Sequence, residues 1–210
     1  MEKVSISPIL SIMKKIITSL LLCFSALYLF AQEETLFGDL HVVGAFGAPI
    51  IEVGAINGEI GADVGGGGAL VLNNMFIGGY GMGTSYPEYV TAAGDERNIR
   101  FKHGGFWLGY TPKPHKVAHL YSSLKIGWGS ARLREDGDNI ATDRLFALTP
   151  ELGIEINLTR FVKVSLSGGY RWINGISKLD GLDNESFSSP TGLLTFRIGG
   201  WSDSDEWDRW

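Results

Sequence analysis

The chain has 210 residues, 29 of them glycine, with 11% aromatic and 20% charged side chains and a net charge of −5 at pH 7. That length suits one domain, and so much glycine beside aromatic residues fits an all-β chain better than a helical one. The acidic balance argues against nucleic acid as a partner, because phosphate binding calls for a basic surface.

At the start, Lys14 and Lys15 precede a largely apolar run over 16–30, followed by Ala31 and Gln32. A basic n-region and an apolar h-region of this kind mark a secretory signal, and the run is short for a spanning helix. Cleavage is expected after Ala31, so 1–31 is read as a signal peptide, although Leu29 is larger than the residue preferred three places before a cut. Met1 and Met13 both stand as translation starts. The only cysteine, Cys23, follows Leu22 where lipid anchoring needs a small residue, so anchoring is disfavoured. Its loss with the leader leaves neither a disulfide nor a thiolate metal site. Losing Lys3, Lys14, Lys15 and Glu2 as well makes the mature chain more acidic still.

Eight strands are predicted within 32–201, ahead of a polar tail over 202–210. The first, 38–53, carries Leu40, Val42, Gly44 and Phe46 on one face and Asp39, His41 and Val43 on the other. The Asn57-Gly58 turn signal leads to the second, 59–72, with Ile60, Ala62, Val64, Leu70 and Leu72 in phase and Asp63 opposite. Asn73-Asn74 turns into the third, 75–85, with Phe76, Tyr80 and Met82 on one face, and a long polar segment over 87–98 follows. In the fourth, 99–111, Phe106, Trp107 and Leu108 are consecutive, which leaves its phase ambiguous. Two prolines over 112–116 interrupt pairing. The fifth, 117–134, sets Leu120, Leu124, Ile126 and Trp128 against His119, Tyr121, Ser123 and Lys125. A polar connection is expected over 135–143.

The clearest alternation comes next. Leu148, Pro150, Leu152, Ile154, Ile156 and Leu158 oppose Thr149, Glu151, Gly153, Glu155 and Asn157. After a turn at 158–160, Val162, Val164, Leu166, Gly168, Tyr170 and Trp172 oppose Lys163, Ser165, Ser167, Gly169 and Arg171. This is a long antiparallel hairpin with one apolar and one ionic face. A long acidic loop is expected over 174–189, then an eighth strand, 190–201, with Leu194, Phe196 and Ile198 opposite Thr195, Arg197 and Gly199.

A soluble barrel turns the apolar face inward; a membrane barrel turns it to lipid and encloses the charges. The connections alternate short and long, Asn57-Gly58 being the exception, and strands of roughly ten residues match a tilted crossing of the hydrocarbon layer. With an exported leader and an even strand count, these features favour an eight-stranded antiparallel up-and-down β-barrel in the outer membrane. Asp63, Lys125, Glu151, Glu155, Lys163, Arg171 and Arg197 are then expected to form ion pairs inside, crossing neighbouring strands, since buried charges persist only when paired. A barrel this narrow is filled by side chains rather than open. Tyr80, Trp128, Tyr170, Trp172 and Trp201 are expected as aromatics at the membrane interfaces.

The runs Gly44-Ala45-Phe46-Gly47-Ala48-Pro49, Ile56-Asn57-Gly58-Glu59 and Val64-Gly65-Gly66-Gly67-Gly68 resemble those of a group of uncharacterised Bacteroidota cell-envelope proteins read as small β-barrels. Leu152-Gly153-Ile154-Glu155-Ile156-Asn157-Leu158-Thr159 and Gly169-Tyr170-Arg171 are similar to that group too. Its members commonly carry glycine where Ala45 and Ala48 stand here. The resemblance implies envelope location and a barrel, with no activity to carry over. More distantly the architecture is similar to OmpX-type eight-stranded barrels.

Catalytic and metal signals are weak. Gly65 to Gly68 lacks the Gly-Lys-Ser/Thr and helix of a phosphate cradle, and the glycines of 78–83 lie in a strand, not a strand-to-helix turn. His41, His103, His115 and His119 are scattered. His119, Ser123 and Glu151 share an inward face, so a hydrolase triad is imaginable, but no nucleophile elbow surrounds it. The acidic runs at 135–139 and 180–185 miss calcium-loop spacing. The reading is therefore a non-enzymatic barrel without catalytic residues, metal or cofactor, with loops serving envelope integrity or surface interaction. Expected partners are outer-membrane lipid, with lipopolysaccharide as a candidate, and an extracellular partner at the long loops. The alternative is a secreted soluble β-barrel that binds a small apolar ligand.

Overall fold

A computed structural model of the protein describes residues 41–84, 89–90, 96–135 and 138–201. The expected leader over 1–31 and tail over 202–210 lie outside these residues. The strands are β1 (Val42–Ile56), β2 (Glu59–Leu72), β3 (Met75–Thr84), β4 (Tyr89–Val90), β5 (Glu96–Tyr110), β6 (Ala118–Glu135), β7 (Asp138–Asn157), β8 (Val162–Asn174) and β9 (Ser189–Trp201). One short helix, α1 (Asn184–Phe187), precedes β9. Every pairing is antiparallel, in the order β3-β2-β1-β9-β8-β7-β6-β5, and β3 also pairs β5. The ring is thus an all-β, closed, eight-stranded antiparallel barrel with up-and-down neighbours; β4 only adds Tyr89 and Val90 against the start of β5.

Strand alternation sets the two sides of the wall. Leu152, Ile154, Leu166 and Ile198 point out and are more than half exposed, while Glu151, Glu155, Arg171 and Arg197 point in and are buried. The consecutive aromatic run of β5 resolves the same way, with Trp107 fully buried and Phe106 outside. In β1 a register shift between Val42 and Gly44 leaves Val42 exposed while Phe46 turns inward, which separates two residues expected on one face.

At one end lie the short connections at 73–74, 111–117 and 158–161; at the other lie 57–58, 175–188, the last residues of β3 and β6 and the first of β5 and β7. Asn57 and Gly58 both have positive φ, 51° and 81°, as a two-residue hairpin turn requires, so this connection is as tight as its sequence implies. The polar connection expected over 135–143 is a correction. β6 and β7 stay paired to Glu135 and Asp138, and residues 138–143 are strand. Ionic residues on both faces there remove the apolar alternation that marks a strand in sequence.

Two apolar clusters fill the interior on either side of a charged middle. Towards the short-turn end, Phe46, Ile50, Phe76, Tyr80, Trp107, Tyr121 and Leu193 pack together. Towards the loop end, Ile99, Phe101, Leu133, Leu145 and Ile173 pack against Ile176, Leu179, Leu182 and Phe187. The segment expected as a long acidic loop therefore folds back on four apolar side chains.

Glycine in β2 makes room for these rings. A Cβ on Gly67 would stand 2.6 Å from the Gly79 carbonyl oxygen and 2.9 Å from the Trp107 ring. Gly67→Ala should then cost about 1–3 kcal/mol, read as a lower urea midpoint. Gly47→Ala, whose Cβ meets nothing nearer than 4.0 Å, is the control. Equal losses at the two positions would refute the packing argument.

Candidate functional site

Among the described residues three ionic groups lie inside the barrel, two in its middle and the third towards the short-turn end, beside the 111–117 connection. In the first, Arg171 of β8 reaches past β9 to β1 and β2. Its Nη1 donates to Glu52 Oε1 at 3.0 Å and to Asp63, its Nη2 to the Ala55 carbonyl at 3.1 Å, and its Nε to the Phe187 carbonyl at 3.1 Å. Thr84 donates to the same Asp63 carboxylate. In the second, Lys125 of β6 donates to Glu151 on neighbouring β7, and Ser167 Oγ donates to Glu151 Oε2 at 3.2 Å. In the third, Arg197 Nη1 of β9 meets Glu155 Oε1 and Oε2 at 3.0 and 2.8 Å, and His119 Nε2 lies 3.0 Å from the same carboxylate.

The apolar layers grip these cations as well. Arg171 lies 5.0 Å from the centre of the Phe101 ring, and Arg197 lies 4.0 Å from Phe46 and 4.7 Å from Phe76. Stacked guanidinium on a ring face adds a quadrupole attraction that grows where water is excluded. Such pairs face a large desolvation cost, which is offset only when each charge meets a partner.

All seven residues expected inside the barrel lie there. Asp63, Lys125, Glu151, Glu155, Arg171 and Arg197 join the groups above, two of which span the interior instead of crossing adjacent strands. Lys163 lies nearer the short-turn end, its Nζ 4.5 Å from the Trp201 ring centre and 3.5 Å from the Pro114 carbonyl. Two partners were not expected from the sequence, Glu52 and His119. Glu52 was findable, because Phe46, Ala48, Ile50 and Glu52 share one phase of β1 just as the enclosed carboxylates do in β7.

Among the expected interface aromatics, Trp128 and Trp172 are about half exposed on the outer wall, and Tyr170 packs on Trp172 with ring centres 4.8 Å apart. Tyr80 is a correction: it lies inside, 7% exposed, with its hydroxyl 3.0 Å from His103 Nδ1. Its outward neighbours in β3 are glycines, so sequence phase gives no contrast, and the bare wall at Gly127 leaves space for its hydroxyl. Trp201 is corrected too, for it shares the inward phase of Arg197 and lies stacked near Phe46 at 6.3 Å.

The imaginable triad does not assemble. His119 has its two ring nitrogens at the Lys116 carbonyl, 2.9 Å away, and at Glu155, while Glu151 binds Lys125 and Ser167. At the loop end, segment 175–188 is tied down from several sides. Asn57 N–H donates to the Ser186 carbonyl at 2.6 Å, Ser177 and Lys178 N–H donate to Asp143, and Asn184 Oδ1 accepts from Gly175 and Ile176. Asp183 caps α1, and hydrogen bonds from the Ser186 hydroxyl and backbone hold its carboxyl below the usual range.

No protein-family model matches this sequence, and no curated protein matches it. Among solved structures, the barrel is similar to Neisserial surface protein A, with a TM-score of 0.55 and 10% identity over 75% of this chain and 96% of that one. Ail, the attachment invasion locus protein of Yersinia pestis, aligns at 0.44 with 15% identity over 76% and 98% of the two chains. OprG from Pseudomonas aeruginosa aligns at 0.42 with 14% identity over 76% and 95%. At such identities the likeness is one of fold, and the first alignment alone carries it.

Proposed function

We propose that this chain is a non-enzymatic outer-membrane β-barrel with a side-chain-filled lumen, acting in envelope integrity or surface interaction through its loop end. The observation that carries the reading is the inverted wall. Leu152, Ile154, Ile156, Leu166 and Ile198 face outward while Glu52, Glu151, Glu155, Lys125, Arg171 and Arg197 are sealed inside. In water that arrangement exposes a broad apolar band, a cost that vanishes in lipid, while the enclosed charges are offset by their partners inside. The strands, 13 to 20 residues long outside β3 and the short β4, exceed the roughly 9–11 needed to cross the hydrocarbon layer, so the loop end stands clear of it. Fully buried Trp107, Tyr121, Lys125, Arg171 and Arg197 across the section argue against solute passage. The fold likeness to Neisserial surface protein A and the resemblance to Bacteroidota envelope barrels support the same location.

A lipocalin-like soluble barrel needs an open apolar cavity within and a polar wall outside, whereas here the wall is apolar and the interior is filled by side chains. Two measurements separate the readings. Cell fractionation should place the protein in the detergent-extracted outer-membrane fraction, and recovery in the aqueous periplasmic fraction would overturn the proposal. Leu166→Arg should cost about 2–4 kcal/mol of unfolding free energy in lipid vesicles. On a water-facing wall the same change should stay within about 0.5 kcal/mol.

A further inference from the structure

Towards the loop end, the outer wall of β5, β6 and β7 carries cations directly beside its aromatic and apolar band. Lys102 of β5, Ser130 of β6 and Arg144 of β7 stand in one cross-strand row, and Arg100, Arg132 and Thr142 stand in the next row towards the loop end. All four cations are exposed. Arg100 and Arg132 are direct register partners, at about 4.8 Å strand spacing, and like charges placed so are destabilising. No carboxylate stands in either row among the described residues.

The row below is aromatic and bare. Gly81, Gly104, Trp128 and Phe146 follow one another across β3, β5, β6 and β7, with the Trp128 and Phe146 rings 5.9 Å apart. A side chain at Gly81 would meet open space, so the wall is indented there, and an open groove of about 610 Å³ runs beside Trp128, Lys102, Ser130 and Arg144. Two rows of cations above a groove walled by an indole match an amphiphile that has an anionic head and an apolar tail.

Resting on the membrane reading above, we infer that this face is a binding site for a phosphate-bearing lipid of the outer leaflet. Arg100, Lys102, Arg132 and Arg144 neutralise the phosphate, Ser130 donates a hydrogen bond to it, and acyl chain lies along Trp128 in the glycine groove. The anion relieves the Arg100 and Arg132 opposition, which explains why cations are tolerated in these rows.

The test uses the full barrel in phosphatidylcholine vesicles in which some lipid is replaced by brominated phosphatidic acid or by brominated phosphatidylcholine. The readout is quenching of the fluorescence that Trp128→Phe removes. Phosphatidic acid should quench it about fivefold or more efficiently at equal mole fraction. That preference should vanish in the variant combining Arg100→Ser, Lys102→Ser, Arg132→Ser and Arg144→Ser, and in the unaltered protein at about 0.5 M salt. Equal quenching by both lipids, or a preference that survives salt, would overturn the inference. So would retention of a sulfated polysaccharide without any lipid preference, which would assign the patch to a soluble polyanion. A protein that stays out of the vesicles would overturn the membrane reading itself, and this inference with it.

Discussion

Replacing Arg171 with methionine should lower the unfolding free energy by about 3–5 kcal/mol, because it leaves Glu52 and Asp63 buried together without their shared cation. The guanidinium also holds the carbonyls of Ala55 and Phe187, so one substitution releases contacts to β1, β2 and the segment before β9. Urea unfolding in vesicles, followed by tryptophan fluorescence, reads the loss as a lower midpoint. Adding Glu52→Gln and Asp63→Asn to Arg171→Met should recover much of it, since the penalty lies mainly in the orphaned charge. A loss below about 1 kcal/mol for the single change would show that water reaches these carboxylates, and the sealed interior would be wrong.

Phe187→Ala should cost about 3–5 kcal/mol in the loop-end apolar cluster, where Phe187 is fully buried with its ring 5.5 Å from that of Phe101. The loss falls on segment 175–188 before it falls on the barrel, because the strand ladders do not pass through that ring. Trypsin cleavage after exposed Lys178 should accelerate about a hundredfold if cleavage follows the open population. An unchanged cleavage rate would mean that the hydrogen bonds to Asp143 and Asn184 hold the segment without the aromatic anchor.

Strict alternation in β7 and β8 makes the barrel wall legible from the residues alone. A period of two cannot place Glu151, Glu155, Lys163 and Arg171 on the same side as Leu152 and Leu166, whatever medium meets each face. The tight turn at Asn57-Gly58 is legible too, since that pair supplies positive φ at little steric cost. Alternation fades at 132–144, where Arg132, Arg144 and Asp143 make both faces polar and a strand resembles a loop. It is also silent at 174–189. The apolar residues Ile176, Leu179, Leu182 and Phe187 have meaning only once Ile99, Phe101, Leu133 and Leu145 supply an apolar surface beneath them.

By itself, then, the sequence determined which residues share a side of each strand, because pleating is a property of the local backbone. Which carboxylate meets which cation, and whether Tyr80 faces in or out, was decided by the closed ring, whereas the side of Trp201 follows from its phase with Arg197. Those contacts join β8 to β1 and β2, and β9 to β7, across distances that no local pattern encodes. Glycine erases the phase signal in β3, so the space left between opposing strands chose the direction of the ring.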